Sequence, residues 1–339
     1  MTNAVKIGDI TIGGGAPVAV QTMTNTLTTD ISATVSQISR CYAAGASLVR
    51  VSVPDIASVE AFRTIALESP VPLIADVHYD YKIALKAIEY GAKKIRINPG
   101  NTSTEGLKEI ARVAKEAAIP IRVGVNKGSL KGDKSPRGLA TATLDAAKLF
   151  EDLGATALVL AVKSSDIRET VEAYTILSKL TEHPLHIGLT EAGTYRNGSI
   201  KSSVAIGALL LNGIGDTVRV SLTGAPESEI TCAYEILNAL GLKKTLPDII
   251  SCPTCARTQI NVEEVANGVF EAVKNSDGCR GVKIAVMGCA VNGINESKGA
   301  KYGVCGGKEK SLLFKDGVIV KEVENSAITS ELLNLIKLK

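Results

Sequence analysis

One pattern constrains this chain more than any other. An apolar, β-branched run followed by a helical stretch recurs eight times between residues 17 and 240. The runs occupy 17–21, 47–53, 72–77, 94–98, 120–125, 156–161, 184–189 and 217–222, and their starts fall 22 to 36 residues apart, the scale of one βα unit. Helical patterns cover 31–44, 56–67, 82–90, 103–117, 139–153, 166–180, 202–211 and 227–240. Glycine stands where a left-handed helix cap is wanted at Gly45, Gly91, Gly154, Gly213 and Gly241. Continuous Val/Ile/Leu runs have no polar face, so the strands are expected to be buried on both sides of a parallel sheet. Eight consecutive units predict an α/β fold built on a TIM-type (β/α)8 barrel, with an open doubly wound sheet as the alternative. Residues 1–15, ending in Gly13-Gly14-Gly15, read as a short flap before the first core strand.

The rhythm stops at 243–247. Beyond it lie a Cys-x-x-Cys turn, a helix over 262–274, a strand over 282–287 and a Gly-rich stretch at 293–307. Short strands at 311–314 and 317–320 and a closing helix at 330–337 follow. The expected domains are a barrel over 1–243 and a small α+β domain over 244–339.

Composition excludes several classes of function. A net charge of +3 from 38 basic and 35 acidic residues, 4% aromatics and no tryptophan argue against nucleic-acid binding. No apolar run is long enough to span a membrane, and the N-terminus lacks the layout of a signal peptide. Seven cysteines without an export signal place the expected address in the cytoplasm.

Reactive groups of (β/α)8 barrels sit at the C-terminal ends of the strands. Here the runs end in Arg50, Asp76 with His78, Arg96 with Asn98, Arg122 with Asn126, Lys163, Glu191, and Arg219 with Ser221. Residues two apart on a strand share a face, so each of these pairs points one way, Arg122 and Asn126 through the intervening Gly124. An arginine in an apolar strand is costly without a partner. Four arginines and a lysine at one mouth form a deep anion site, suited to two or more phosphoryl charges. Taken singly, each arginine reads equally as an ion-pair member, with Asp76 or Glu191 as its counter-charge; the repetition across strands carries the anion reading. His183 and His186 read as packing or surface residues, and Cys41 and Cys232 as small hydrophobes on amphipathic helices. Cys279, ahead of a strand, and Cys305, in the Gly-rich stretch, read as structural. The basic segment 127–137 reads as a solvated loop, with a lid over phosphates as the alternative.

The small domain opens with Ser251-Cys252-Pro253-Thr254-Cys255 and continues to Gly288-Cys289-Ala290-Val291-Asn292-Gly293-Ile294-Asn295-Glu296, with 33 residues between Cys255 and Cys289. Cys252 and Cys255 can face one centre across the tight turn that Pro253 helps fix. Three thiolates delivered this way suit a soft metal. A closed zinc site wants four Cys/His ligands, and neither a second Cys-x-x-Cys nor a histidine beyond His186 is present. Three sulfurs and a nearby carboxylate point to a cluster with one weakly held corner. Two other classes stay open on the residues alone: a zinc-stabilised binding module fused to an inactive barrel, and a non-redox barrel enzyme acting on a phosphorylated or pterin-like substrate. S-adenosylmethionine radical chemistry is disfavoured, because no Cys-x-x-x-Cys-x-x-Cys occurs.

These segments resemble a known family almost from end to end, the bacterial 4-hydroxy-3-methylbut-2-enyl diphosphate synthases of the methylerythritol phosphate route to isoprenoids. The likeness runs through Val18-Ala19-Val20-Gln21-Thr22-Met23-Thr24, Arg50-Val51-Ser52-Val53-Pro54, Ala75-Asp76-Val77-His78-Tyr79-Asp80-Tyr81 and Lys94-Ile95-Arg96-Ile97-Asn98-Pro99-Gly100-Asn101. It continues in Ile121-Arg122-Val123-Gly124-Val125-Asn126, Thr190-Glu191-Ala192-Gly193, Gly215-Asp216-Thr217-Val218-Arg219-Val220-Ser221-Leu222-Thr223-Gly224 and both cysteine segments. The resemblance implies an oxidoreductase with a [4Fe–4S] cluster on Cys252, Cys255 and Cys289, and Glu296 at the fourth-ligand position. It further implies that 2-C-methyl-D-erythritol 2,4-cyclodiphosphate binds at Arg50, Arg96, Arg122, Asn126 and Lys163, with Glu191 as the acid. A homodimer is implied, the small domain of one subunit capping the partner's barrel, as is flavodoxin or ferredoxin as electron donor. This chain departs from the family in Gly293-Ile294-Asn295-Glu296, where Gly-Pro-Gly-Glu is usual, and in its 131–137 loop. It lacks a large insert between the domains and so resembles the shorter, two-domain type.

Overall fold

A computed structural model describes the chain except residues 79, 129, 131, 291, 292, 298, 338 and 339, and the side chains of 101 and 337. Tyr79, Ser129, Lys131, Val291, Asn292 and Lys298, which fall in stretches singled out above, thus lie outside the described residues. The chain divides into two compact units, Met1–Ile236 and Leu237–Lys339.

The first unit opens with an antiparallel hairpin, β1 (Val5–Ile7) and β2 (Ile10–Ile12). Barrel strands follow: β3 (Ala19–Met23), β4 (Leu48–Ser52), β5 (Leu73–Asp76), β6 (Lys94–Ile97), β7 (Ile121–Asn126), β8 (Leu158–Lys163) and β9 (His186–Ile187). After the stub β10 (Gly193–Thr194) come the last barrel strand β11 (Thr217–Val218) and the stub β12 (Leu222–Thr223). The alternating helices are α1 (Ile31–Ala43), α2 (Ile56–Glu68), α3 (Tyr81–Glu89), α4 (Thr104–Glu116), α5 (Pro136–Asp152), α6 (Ile167–Leu177), α7 (Tyr195–Leu211) and α8 (Pro226–Ala239). Neighbouring barrel strands are all parallel, in the order β8-β7-β6-β5-β4-β3-β11-β9. The ring closes through a parallel bridge between Leu160 and Leu185. That closure decides for the barrel over the open sheet.

Local chemistry explains the alternation. Six helices begin on an Asp or Ser (Asp30, Asp55, Asp80, Ser103, Ser135, Asp166) whose side chain accepts a hydrogen bond from a first-turn N–H. Each such cap saves a donor that would otherwise be unpaired and contributes about 1 kcal/mol. The five anticipated cap glycines all have positive φ. At Gly45 a Cβ would also come within 2.7 Å of the Tyr234 ring, so both conformation and space demand glycine there.

Two expectations needed correction in this unit. The six-residue runs at 184–189 and 217–222 each carry only a two-residue barrel strand before the chain bends and resumes as the paired stubs β10 and β12. The flap is in fact a hairpin packed onto the N-terminal ends of the barrel strands, with Val5, Ile7 and Ile12 buried against Ala19, Leu48, Ile74 and Val159.

The second unit is a five-stranded sheet in the order β13-β14-β15-β16-β17, comprising β13 (Asp248–Ser251), β14 (Lys283–Met287), β15 (Tyr302–Cys305), β16 (Lys310–Lys315) and β17 (Val318–Glu324). The first three are parallel and the rest antiparallel. Helices α9 (Val262–Val273) and, after the single turn α10 (Gly293–Glu296), α11 (Ile328–Lys337) contribute Val265, Val269, Leu332 and Ile336 to its core. β13 and β15 were not anticipated, and Cys305 lies in a buried strand rather than a turn. Gly303 is required where β15 meets Phe314, whose ring would stand 2.3 Å from a Cβ. Among the described residues no helix is long and apolar enough to cross a membrane.

Candidate functional site

The barrel interior is strongly cationic. Arg50, Arg96, Arg122 and Lys94 are buried, Lys163 and Arg219 lie half-buried, and Asp76 and Glu229 are the buried carboxylates beside them. Asp76, at the end of β5, stands 3.2 Å from Arg96 Nη1, 3.5 Å from Arg50 Nε and 3.6 Å from His78 Nε2. Burial alone would raise its carboxyl; contact with His78 and the charges of Arg50, Arg96 and Arg122 outweigh that and hold it well below the ordinary carboxylate range. Glu229 accepts from Arg219 at 3.2 and 3.3 Å, from the Thr22 hydroxyl at 2.8 Å and from the Leu222 N–H at 3.1 Å. Met23 Sδ accepts from Arg50 Nε at 3.0 Å.

Arg122 stands apart from this network. It is 0% exposed, yet none of its guanidinium nitrogens has a hydrogen-bond partner among the described residues. Burial, then the charges of Arg50 and Arg96, push it well below the ordinary arginine value. Burial also pushes Arg50 down to about 10, against the opposing pull of Asp76. Several guanidinium groups facing two carboxylates leave an excess of positive charge that a polyanion would neutralise.

The structure brings most of the anticipated residues together. Arg50, Asp76, His78 and Arg96 form one network, with Arg96 Nη1 3.2 Å from His78 Nδ1. Lys163, Arg219 and Ser221 line one small cavity with His186, and Asn126 pairs in register with Lys163. Asn98 serves locally instead, its Oδ1 capping a single helical turn by accepting from the Gly100 N–H at 3.3 Å. Glu191 is exposed in the β9–β10 loop with φ of 55°, a strained conformation for a non-glycine residue. Gly188 allows the β9 and β11 chains to approach, since a Cβ there would lie 2.3 Å from Arg219 O. Lys127, in the basic loop, is ion-paired with Glu169 at 2.5 Å.

Sequence reasoning missed Lys94 and Glu229. Lys94 lies two residues before Arg96 on the same strand face, so the rule that paired the strand-end residues would have found it. Glu229 lies in the first turn of α8, where an acid needs only the helix dipole to explain it. His186 is a core residue with Nδ1 2.7 Å from Thr217 Oγ1, and His183 pairs with Glu151 at 2.9 Å. A cavity of about 670 Å³, lined by Met1, Thr2, Leu185, Gly213 and Asp216 among others, is bordered by no arginine.

In the second unit, Cys252 and Cys289 follow the C-terminal ends of the adjacent parallel strands β13 and β14. Cys252 Sγ accepts from the Gly288 N–H at 3.1 Å, the kind of amide–sulfur bond that stabilises a thiolate. Cys255 N–H donates to Thr258 Oγ1 at 2.9 Å, and the Arg257 backbone N–H lowers the Cys255 thiol below its ordinary value. Glycines hold the loops close, as a Cβ at Gly306 would come within 2.6 Å of Gly288 O. Cys252 and Cys289 are half-buried, and Cys255 and Glu296 exposed. Among the described residues no three Cys, His, Asp or Glu side chains are grouped as a metal site. The donor chemistry of three thiols, one held by an amide N–H, nonetheless suits an iron–sulfur centre. Cys41, Cys232, Cys279 and Cys305 are buried, and burial pushes Cys41 up to about 12 and Cys232 and Cys305 to about 11.

Comparison with solved structures yields the barrel alone. A sialic acid synthetase from Leptospira borgpetersenii superposes with a TM-score of 0.52 at 14% identity, over 71% of this chain and 91% of its own. A dihydropteroate synthase from Yersinia pestis gives 0.51 at 14%, over 71% and 100%. Sequence comparison reaches much further. The 4-hydroxy-3-methylbut-2-en-1-yl diphosphate synthase (flavodoxin) of Caldicellulosiruptor saccharolyticus is 48% identical, over 99% of this chain and 98% of its own. The synthase of the same name from Caldanaerobacter subterraneus is 45% identical, over 99% and 97%. The family model described as GcpE TIM-barrel domain matches residues 2–234, and that described as GcpE protein C-terminal domain matches residues 248–338. With both of its units matched in order, the chain belongs to the GcpE family.

Proposed function

We propose that this protein converts 2-C-methyl-D-erythritol 2,4-cyclodiphosphate to (E)-4-hydroxy-3-methylbut-2-enyl diphosphate in isoprenoid biosynthesis. The barrel binds the diphosphate, and the C-terminal unit carries a [4Fe–4S] cluster on Cys252, Cys255 and Cys289, with Glu296 as the displaceable fourth ligand. Flavodoxin, named in the relatives' activity, is the donor, with ferredoxin as the alternative. The working form is a cytoplasmic homodimer in which each barrel is served by the partner's C-terminal unit. One observation carries the reading: a barrel mouth with Arg50, Arg96, Arg122, Arg219 and Lys163 where, among the described residues, Asp76 and Glu229 are the buried counter-charges and the Arg122 guanidinium has no hydrogen-bond partner.

The reaction takes up two electrons and one proton. The ring carbon–oxygen bond to phosphate breaks, the C3 hydroxyl departs as water, and the dianionic cyclic diphosphate becomes a trianionic linear one. When bound, the cluster supplies single electrons and a Lewis-acidic iron. Arg122, Arg96 and Arg50 grip the phosphoryl oxygens and stabilise the charge released as the ring opens. Asp76 fixes the Arg50 and Arg96 forks, and Glu229 does the same for Arg219. Lys163 and Ser221 complete the wall on the β8 and β11 side. Glu191 delivers the proton to the departing hydroxyl from a loop position whose backbone is held at a φ of 55°. The test is anaerobic turnover of the cyclodiphosphate with reduced flavodoxin, in the wild type and in Glu191→Gln. The variant should keep its iron and sulfide and lose turnover by about 10²-fold or more. Undiminished turnover would overturn the acid role, and a protein without iron or acid-labile sulfide would overturn the reading itself.

A further inference from the structure

Lys94 has no place in the mechanism above, yet it is among the most deeply buried charged side chains, with 0% exposure. It points into the barrel two residues below Arg96 on β6, roughly 6–7 Å further from the mouth. Its single hydrogen bond among the described residues runs to Gln21 Oε1, a neutral acceptor, at 3.3 Å. An ammonium group offers three donors and wants three acceptors. The amide Nε2 of Gln21 is itself unpartnered, so a rotated amide would donate to the lone pair of a neutral amine at the same place. Both observations describe a neutral lysine. The surroundings agree, since burial and the charges of Arg122 and Arg50 all push Lys94 well below its ordinary value.

We propose that Lys94 is the reserve cation of the phosphoryl seat, a positioning residue that takes up a proton when the anionic charge above it rises. The inference rests on the diphosphate reading of the barrel and deepens it. A permanent charge at this depth would add to an interior already crowded with arginine. An amine that charges on demand supplies attraction only once an anion is seated, and supplies more to a trianion than to a dianion. It therefore favours the more highly charged diphosphate that ring opening creates.

Gln21 from β3 is bonded to Lys94, Arg50 from β4 and Arg122 from β7 repel its charge, and His186 from β9 feels it; Asp76 at the end of β5 and Arg96 on its own strand are the next charges toward the mouth. The arginines keep their charge although burial lowers Arg50 and Arg122, because a delocalised guanidinium gives up its proton far less readily than an amine, and Asp76 is already ionised and committed to Arg50 and Arg96. Burial and the surrounding cations hold His186 neutral as well. It is satisfied by Thr217 and starts from a far lower ordinary value, so lysine claims the proton first. Burial and the charges of Arg122, Arg50, Arg96 and Arg219 push Lys163 well below its ordinary value too, so it competes for the same proton; the Lys94 variants, which leave Lys163 in place, tell the two apart.

Calorimetric titration of the anaerobically purified full-length protein with inorganic pyrophosphate tests the inference, using buffers of different ionisation enthalpy to count protons. The proton number of wild type should exceed that of Lys94→Met by about one per site, while His186→Asn should leave it unchanged. Lys94→Arg, permanently charged, should bind pyrophosphate without that extra proton. Either Lys94 variant decides the matter if the other does not fold. Equal proton numbers in wild type and variant, with binding intact, overturn the role of Lys94 alone. No binding of pyrophosphate by wild type overturns the anion seat and the inference together.

Discussion

Replacing Asp76 by Asn reads the charge balance of the barrel most directly. The carboxylate stands 3.5 Å from Arg50 and 3.2 Å from Arg96, each attraction amounting to about 4–5 kcal/mol at an effective dielectric constant of ~20. Desolvation of three buried charges offsets much of that. What remains is the cost of stranding two guanidinium groups, about 3–5 kcal/mol for a buried set that loses one member. Asparagine keeps the shape of the side chain, so no cavity contributes. The Asp76 carboxyl is held below its ordinary value, so its stabilisation is fully present above pH ~3.9 and is lost as pH falls through the depressed value. Thermal unfolding at pH 7 should place the variant roughly 6–20 °C below wild type, and the gap should narrow under strongly acidic conditions. Pyrophosphate should restore more stability to the variant than it adds to wild type, because the anion replaces the missing charge. A loss under ~1 kcal/mol, the scale of an exposed ion pair, or equal responses to pyrophosphate, would refute the reasoning.

Glu229→Gln should tighten pyrophosphate binding about tenfold and lower stability by about 1–3 kcal/mol, since Arg219 loses its charged, two-point partner and the anion takes that partner's place; calorimetry and thermal melting read the two effects. Gly188→Ala sets a methyl group 2.3 Å from the Arg219 carbonyl oxygen, a backbone atom that cannot swing aside. It should cost about 1–3 kcal/mol or more, seen as a lower melting temperature or loss of folded protein.

The barrel was legible because its signal is carried by repetition. Eight apolar runs with Asp or Ser caps and terminal glycines are redundant, so the unexpectedly short β9 and β11 did not obscure the fold. Those two strands stop where Gly188 lets one chain approach another, a tertiary event that no local propensity encodes. β15 was hidden for the opposite reason: its Gly303 exists to admit Phe314, and glycine in isolation reads as a turn. In the site, strand-end arginines stood out because charge in an apolar run is rare. Glu229 did not, because an acid at a helix start is commonplace. That Asn98 acts as a cap shows the limit of face-sharing arguments once a strand has ended, since Pro99 turns the backbone away immediately afterwards.

The hairpin at the start of the chain has a consequence for traffic. With Ile7 and Ile12 seated against the lower ends of the staves, the barrel is a vessel with a stoppered floor. On the proposed reading substrate and product share the one doorway at the mouth, and a product held there blocks the next arrival.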